Sequence, residues 1–151
     1  MKRTVPVAKG EIYTIPIHGL GSNGEGVGRY DGFTVFVPFA LPGEIITGRI
    51  TLVKKQYAVG QVVTIETASP HRIEPKCPVY GTCGGCQLQH VTYEEQCNLK
   101  TQKVKDIMER IGHCDPAIVQ PTLGPVDPWG YRNKMQLPVG GTVKNPQLGF
   151  Y

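Results

Sequence analysis

Three cysteines lie within one run of ten residues, and this run limits what the chain can fold into more than any other feature. Cys77, Cys83 and Cys86 stand in the sequence CPVYGTCGGC. The paired glycines Gly84 and Gly85 allow the backbone to turn tightly, because glycine reaches positive φ angles without a steric penalty. Thiols this close together can converge on one metal centre, either an iron–sulfur cluster or a structural zinc.

Both kinds of metal centre usually take four protein ligands, and this run supplies three. His90 follows four residues after the run and would complete a Cys₃His zinc site. Five residues separate Cys77 from Cys83, which is more than zinc sites usually have between their first two cysteines. Iron–sulfur clusters accept more varied spacing. Cys97 and Cys114 are further candidates, but Cys97 is expected to be a buried thiol on a helix. The residues alone leave the fourth ligand open.

The composition predicts short strands and many turns. The chain has 151 residues, of which 19 are glycine and 13 are proline. Its formal charge of +4 permits binding to a polyanion. Five cysteines are an odd number, no apolar segment follows the first residues as in a signal peptide, and no apolar run approaches a membrane span. We therefore expect a cytoplasmic protein that does not enter a membrane and keeps its cysteines reduced.

Residues 10–70 are predicted to form a β-barrel, preceded by an N-terminal extension over residues 1–9. Alternating apolar residues predict strands over 11–18, 33–37, 45–53 and 58–66. Ile15 and Ile17 share one face of the first strand, and Leu52 is expected on the same face as Ile46 and Ile50. The glycine-rich residues 19–28 are predicted to be rich in turns. About five short strands with glycine-rich corners indicate a mainly β fold with a barrel of OB-like size.

Residues 71–151 are predicted to form a small α+β segment. A capping box at Thr92 and Glu95 begins a helix over about 93–111, and Gly112 follows its end. Its expected apolar stripe consists of Cys97, Thr101, Val104, Ile107, Met108 and Ile111. A strand with charged side chains is predicted over 131–139, and residues 148–151 are typical of the middle of another strand.

Basic, polar and aromatic side chains mark two candidate RNA contacts. Lys54, Lys55 and Tyr57 lie at the predicted hairpin tip after residue 53, and Arg29 is a comparable candidate. The second group lies on the predicted strand over 131–139 and comprises Arg132, Asn133, Lys134 and Gln136. A solvated turn and a solvated edge strand are the alternative interpretations.

No catalytic residues are visible in the sequence. The glycine-rich residues 19–28 lack the Lys-Ser/Thr ending and the following helix of a phosphate loop. No glycine-rich turn from a strand into a helix is present for a nucleotide or S-adenosylmethionine. No cysteine stands in the context of an activated nucleophile.

These motifs, taken in order, resemble one family. GEGVGR at 24–29 and FVPFALPGE at 36–44 resemble the TRAM domain, a small RNA-binding β-barrel. The cysteine run with QLQH at 87–90 follows, and then YRNK at 131–134 and GFY at 149–151. Together they resemble the TrmA-like RNA 5-methyluridine enzymes, the 23S rRNA (uracil-5-)-methyltransferases.

The resemblance implies a [4Fe-4S] cluster in an RNA-binding central domain, with Cys77, Cys83 and Cys86 as three ligands and the fourth cysteine beyond residue 151. It also implies a Rossmann-like catalytic domain, absent from this sequence, that uses S-adenosylmethionine in the full-length enzyme. This chain would be the N-terminal RNA-binding portion, monomeric and inactive by itself. Its expected partner is RNA, in the first place rRNA, with tRNA as the alternative. A rival hypothesis is a complete RNA-binding adaptor with a Cys₃His zinc site.

Overall fold

The computed structural model describes residues 5–149, and their contacts divide the chain into two units at the Arg72–Ile73 junction. The first unit contains five strands: β1 (Ile12–Leu20), β2 (Gly26–Tyr30), β3 (Phe33–Val37), β4 (Ile45–Val53) and β5 (Tyr57–Thr67). The second unit contains helix α1 (Tyr93–Arg110), a 3₁₀ turn (Pro116–Ile118) and strands β6 (Val139–Thr142) and β7 (Asn145–Leu148).

Strands β1 to β5 form a closed barrel in the order β1-β2-β3-β5-β4, and β4 pairs with β1 to close it. All pairs are antiparallel except β3 and β5, which run parallel. Closure removes the exposed strand edges that would otherwise bind other chains. The prediction of a mainly β chain with an OB-like barrel is confirmed.

Buried apolar side chains from β1, β3, β4 and β5 fill the barrel. The buried core comprises Val7, Ile15, Ile17, Phe33, Val35, Val37, Ala40, Ile46, Ile50 and Ala58. Ile15 and Ile17 share this buried face, as the alternation in their strand predicts. Val7 lies before residue 10, so the segment that precedes β1 also contributes to the core.

The two inward positions of strand β2 are glycines, because neighbouring residues of the barrel lie too close to leave room for a Cβ atom. A Cβ at Gly28 would lie 2.4 Å from Cγ2 of Ile15 and 2.7 Å from the carbonyl oxygen of Pro16. At Gly26 it would lie 2.7 Å from the carbonyl oxygen of Ala40. The prediction that residues 19–28 are rich in turns holds only for residues 21–25, since β1 continues to Leu20 and β2 begins at Gly26.

An Asp-Gly hairpin turn joins β2 to β3. Asp31 and Gly32 both have positive φ, +46° and +74°, as a two-residue type I′ turn requires. Tyr30 pairs with Phe33 across this turn. The Asp-Gly pair is the sequence signal that would have predicted β2.

A bulge in β4 overturns the predicted position of Leu52. Ile50 pairs with Gly60, but Leu52 pairs with Val59, so the register shifts between the two β4 residues. Ile50 is buried, whereas Leu52 is 40% exposed. A bulge adds one unpaired residue and so reverses the face of the residues that follow it.

The bounds of helix α1 agree with the prediction to within one residue. The capping of the helix and the burial of its apolar residues differ from the prediction. Thr92 is the N-cap residue, yet its side chain makes no capping hydrogen bond, so the predicted capping box does not form. His113, not Gly112, has the positive φ after the helix, +50°. No helix residue is fully buried, and Val104 is 47% exposed, so the predicted apolar stripe is only partly covered.

The strand predicted over residues 131–139 is absent, since residues 131–138 have no strand structure and β6 begins only at Val139. Pro138 has no N–H to donate to a ladder. Strand β6 pairs with β7 in an exposed hairpin, and β7 ends at Leu148. Phe150 and Tyr151, part of the strand predicted over 148–151, lie outside the described residues.

Candidate nucleic-acid interface and cysteine loop

Cross-strand register brings two of the predicted RNA-binding residues onto one outer face of the barrel. Arg29 on β2 pairs with Thr34 on β3, and Thr34 pairs with Tyr57 on β5. Directly paired residues of a sheet share a face, and the buried residues of β3 occupy the alternate positions. Arg29 is exposed and Tyr57 is 37% exposed, so both are accessible from solvent.

Phe36 is a further aromatic residue on this face, and its place among the RNA contacts was not predicted from the sequence. Its ring packs edge-on against that of Tyr57, with 5.5 Å between the centroids. Phe36 also pairs with Val27 on β2 and Val59 on β5. Two rings of neighbouring strands therefore form one apolar surface that a flat ring could stack on.

Lys54 and Lys55 lie at the turn between β4 and β5, and one residue separates Lys55 from Tyr57. The N–H of Lys54 donates to the carbonyl oxygen of Tyr57 at 2.8 Å, which closes the turn. Both lysines are exposed, and within residues 5–149 neither side chain, nor that of Arg29, makes an ion pair or hydrogen bond. We call the set Arg29, Phe36, Lys54, Lys55 and Tyr57 the aromatic face.

Residues 132–136 lie in the second unit, in a segment without regular secondary structure. Arg132, Asn133, Lys134 and Gln136 are all exposed. The guanidinium group of Arg132 lies 5.6 Å from the ring centroid of Tyr131, as in a cation–π contact. These four residues stay a predicted contact, but not one formed by alternation along a strand.

A buried carboxylate anchors the turn at the end of β3. Glu44 is 1% exposed, and its two oxygens accept four hydrogen bonds. Oε1 accepts from the N–H of Ser69 (3.2 Å) and Nε of Arg72 (2.6 Å). Oε2 accepts from the N–H of Leu41 (2.8 Å) and Nη2 of Arg72 (2.8 Å). We call these residues the Glu44 network; it ties the start of β4 to the chain that follows β5.

The electrostatics of this network favour the charged carboxylate. Burial raises the pKa of Glu44, but the hydrogen bonds from Arg72, Leu41 and Ser69, together with the charge of Arg72, outweigh burial and lower the pKa below its ordinary value of 4.5. The network was not predicted, because its members are far apart in sequence.

Hydrogen bonds from two glutamines hold the cysteine loop. The N–H of Cys77 donates to Oε1 of Gln89 at 3.3 Å, and Nε2 of Gln87 donates to the carbonyl oxygen of Gly84 at 3.0 Å. Gly84 has a φ of +73°, which only glycine adopts easily. The QLQH motif therefore fixes the loop from its C-terminal side.

Tyr80 joins the inside of the loop to His90. Its hydroxyl group donates to the carbonyl oxygen of Gln87 at 2.7 Å and also contacts Nδ1 of His90. A hydroxyl group has a single hydrogen, so which atom donates in the contact between Tyr80 and His90 depends on the tautomer of the histidine. In the tautomer with its proton on Nδ1, a histidine ring presents the lone pair of Nε2, through which it can bind a metal. His90 is 2% exposed.

The donors of the loop fit a thiophilic metal in kind but not in arrangement. Cys77 and Cys83 are half-buried and Cys86 is exposed. Within residues 5–149, no three His, Cys, Asp or Glu side chains are grouped closely enough to hold a metal ion. As placed, the three thiols do not form a metal centre.

Cys97 and Cys114 are separated by the length of helix α1. The thirteen helical residues from Cys97 to the helix end at Arg110 span about 20 Å. The thiols of Cys97 and Cys114 therefore cannot be ligands of the same metal centre. The thiol of Cys97 lies beside the hydroxyl group of Tyr93; partial burial and this neighbour raise the pKa of Tyr93. Cys114 is exposed and donates to the carbonyl oxygen of Gly112 at 3.2 Å.

The barrel and its motifs agree with comparisons to known proteins. The TRAM domain family matches residues 6–63. Over 151 residues the chain is 47% identical to a protein of Clostridium tetani described as an uncharacterized RNA methyltransferase, and over 150 residues it is 44% identical to one of Halalkalibacterium halodurans with the same description. The alignments cover 100% and 99% of this chain but 33% of each relative, so the chain spans about a third of their length.

Two solved structures are also similar. One is a tRNA (uracil-54, C5)-methyltransferase of Pyrococcus abyssi, 31% identical, with 64% of this chain and 21% of that chain covered and a TM-score of 0.46. The other is a conserved protein of Methanococcus maripaludis, 40% identical, with 41% and 89% covered and a TM-score of 0.39.

The chain thus carries a TRAM domain. Its relatives are described as RNA methyltransferases, which confirms the predicted resemblance to the TrmA-like family. None of the helices between residues 5 and 149 is long and apolar enough to cross a bilayer.

Proposed function

We propose that this chain is the N-terminal RNA-binding portion of an S-adenosylmethionine-dependent 23S rRNA (uracil-5-)-methyltransferase. The relatives' description as RNA methyltransferases supports the reaction class, and the motifs of the cysteine run support uracil-5 methylation. S-adenosylmethionine would supply the methyl group to the full-length enzyme, whose catalytic residues this sequence does not contain. The role of the chain itself is to bind and position RNA.

The aromatic face is the observation that carries this proposal. It combines two aromatic rings that contact each other with three nearby cationic side chains. Among the described residues, these three side chains make no ion pair or hydrogen bond. Base stacking on aromatic side chains tolerates any base, and nearby cations attract the phosphates. The exposed residues 132–136 would add a second basic contact.

Fluorescence anisotropy with a labelled single-stranded oligoribonucleotide tests this role. The logarithm of the affinity should fall linearly with the logarithm of the salt concentration, and the slope should decrease in size by about 0.7 for each lost phosphate contact. The slope should decrease by this amount in each of three variants, Arg29→Ala, Lys54→Ala and Lys55→Ala. Lys9→Ala is the matched control, since Lys9 is exposed but precedes β1. Equal slopes for all four variants would exclude the aromatic face as the phosphate contact.

Methylation and substrate choice require separate measurements. Incubation of the chain with labelled S-adenosylmethionine and rRNA should give no 5-methyluridine, and transfer would contradict a purely RNA-binding role. Competition between 23S rRNA fragments and tRNA for the labelled oligoribonucleotide compares the two substrates. Stronger competition by rRNA fragments supports the proposal, and stronger competition by tRNA supports the alternative substrate.

We further propose that Cys77, Cys83 and Cys86 bind a [4Fe-4S] cluster whose fourth cysteine lies beyond residue 151. This rests on their chemistry and on the resemblance of the run, and it requires the three side chains to come together. Anaerobic purification should give a brown protein that absorbs near ~400 nm. Serine at any of the three should remove iron, whereas the control Cys114→Ser should not. A colourless protein with stoichiometric zinc would favour the Cys₃His adaptor, in which His90 is the fourth ligand.

A further inference from the structure

Phe39 occupies a position that phenylalanine does not ordinarily take. Its φ is +65°, in the left-handed region that glycine favours and that is unfavourable for a bulky residue. It is also 42% exposed, so it gains only part of the benefit of burial. Backbone outliers of this kind persist where the surrounding structure fixes them, and they occur often at binding sites.

The surrounding hydrogen bonds hold the backbone of Phe39 in this conformation. Nη2 of Arg72 donates to the carbonyl oxygen of Phe39 at 2.7 Å, and the same nitrogen donates to Glu44. On the next residues, the N–H of Ala40 donates to the carbonyl oxygen of Val37, and the N–H of Leu41 donates to Glu44. The turn that presents the ring is therefore rigid before any ligand arrives, which reduces the entropy lost on binding.

The backbone of Phe39 lies close to the aromatic face. Phe36 lies on β3 with its ring against Tyr57, and Phe39 follows three residues later, just past the end of that strand. Three residues of extended chain span at most about 10 Å. The backbone of Phe39 therefore lies within about 10 Å of Phe36, in the turn that the hydrogen bond between Ala40 and Val37 closes.

We propose that Phe39 is a base-stacking residue and that the aromatic face together with Phe39 binds unpaired RNA. The inference rests on the proposed function and deepens it by naming the form of RNA. Successive rings suit bases that are free to turn outward, whereas the bases of a duplex are stacked on each other and present no open face. The cations Arg29, Lys54 and Lys55 complement the negative charge of the RNA backbone.

Replacement of Phe39 separates stability from binding. Glycine accepts a φ of +65° without strain, and this relief offsets the loss of the partly buried ring, so Phe39→Gly should leave the melting temperature of the chain nearly unchanged. Phe39→Asn is a second variant, because asparagine also tolerates this conformation. Both should weaken binding to a labelled oligouridylate about 5- to 150-fold, the range expected for one lost stacking contact. Phe39→Tyr keeps a ring and should retain the affinity.

Ile12→Ala is the matched control, since Ile12 is 45% exposed on β1, a strand that does not neighbour β3. A hairpin RNA with a fully paired stem is the competing probe, and it should bind more weakly than the oligouridylate. Folded Phe39→Gly protein with unchanged affinity, or tighter binding of the paired RNA, would overturn the inference. If the unaltered chain binds neither probe, the proposed function fails, and the inference fails with it.

Discussion

Glu44→Gln measures how much the Glu44 network contributes to the barrel. The substitution keeps the shape of the side chain but replaces one acceptor oxygen with an N–H₂ group. Two of the four hydrogen-bond donors would then face another donor. Hydrogen bonds to charged groups contribute about 1.5–3 kcal/mol each, and breaking a buried ion pair costs about 3–5 kcal/mol. The side chain of Arg72 is 23% exposed and can recruit water, which offsets part of this loss.

We therefore expect the free energy of unfolding of the barrel to fall by about 3 kcal/mol at pH 7. In a domain of this size, that loss lowers the melting temperature by about 12–24 °C. Hydrogen exchange of the amides in β1 to β5 reports on the barrel alone. Fluorescence of Trp129, the only tryptophan, reports on the second unit and should be unchanged. Glu66→Gln is the control, since Glu66 is exposed and accepts one hydrogen bond, from Thr47.

The effect also depends on pH in a defined direction. The pKa of Glu44 is lower in the folded chain than its ordinary value of 4.5, so its contribution is complete above about pH 4.5 and is lost as the pH falls further. The difference between the unaltered chain and Glu44→Gln should therefore shrink below pH 4.5. A loss of less than about 1 kcal/mol at pH 7, or a difference that acid leaves unchanged, would refute this account of the network.

Three other substitutions test separate parts of the structure. Gly28→Ala should destabilise the barrel by about 1–3 kcal/mol in urea unfolding, because the added Cβ would overlap Ile15. Gly60→Ala is the control and should be tolerated, because a Cβ there would meet only ordinary contacts at 3.5 Å or more. Equal effects of the two substitutions would contradict the close approach at β2. Tyr80→Phe removes the hydroxyl group that joins the cysteine loop to a buried histidine, and Trp129 fluorescence should show a loss of about 1–3 kcal/mol in the second unit; no loss would argue against this bridge. Asp31→Asn keeps the type I′ turn and removes a negative charge near the aromatic face, so the affinity for oligouridylate should rise about twofold; a weaker affinity would contradict the electrostatic role of the face.

Local pattern predicted much of the barrel. Alternation of apolar residues identified β3 and β4 with their observed bounds, because each strand buries one face against a common core. It failed where one residue changes the register, as at Leu52. It also missed β2, whose inward positions are glycines and therefore lack the apolar alternation that marks a strand.

The candidate site was only partly predictable. Tyr57 and the two lysines were found from their composition at one turn. Their association with Arg29 and Phe36 depends on the parallel pairing of β3 with β5, which joins segments distant in sequence. Phe39 and the Glu44 network were missed for the same reason, since Arg72 reaches both from beyond the last barrel strand. In the second unit, strand propensity over 131–139 gave a wrong result because a strand needs a pairing partner.

The most direct test of the central claim is an NMR titration of the isotope-labelled chain with oligouridylate. If the outer face of the TRAM barrel binds unpaired RNA, the amide signals of Arg29, Thr34, Phe36 and Tyr57 should shift together and saturate at one RNA concentration. Signals of Ile12 and Thr14 on β1 should stay in place. Shifts confined to β1, or an absence of shifts anywhere in the barrel, would contradict the claim.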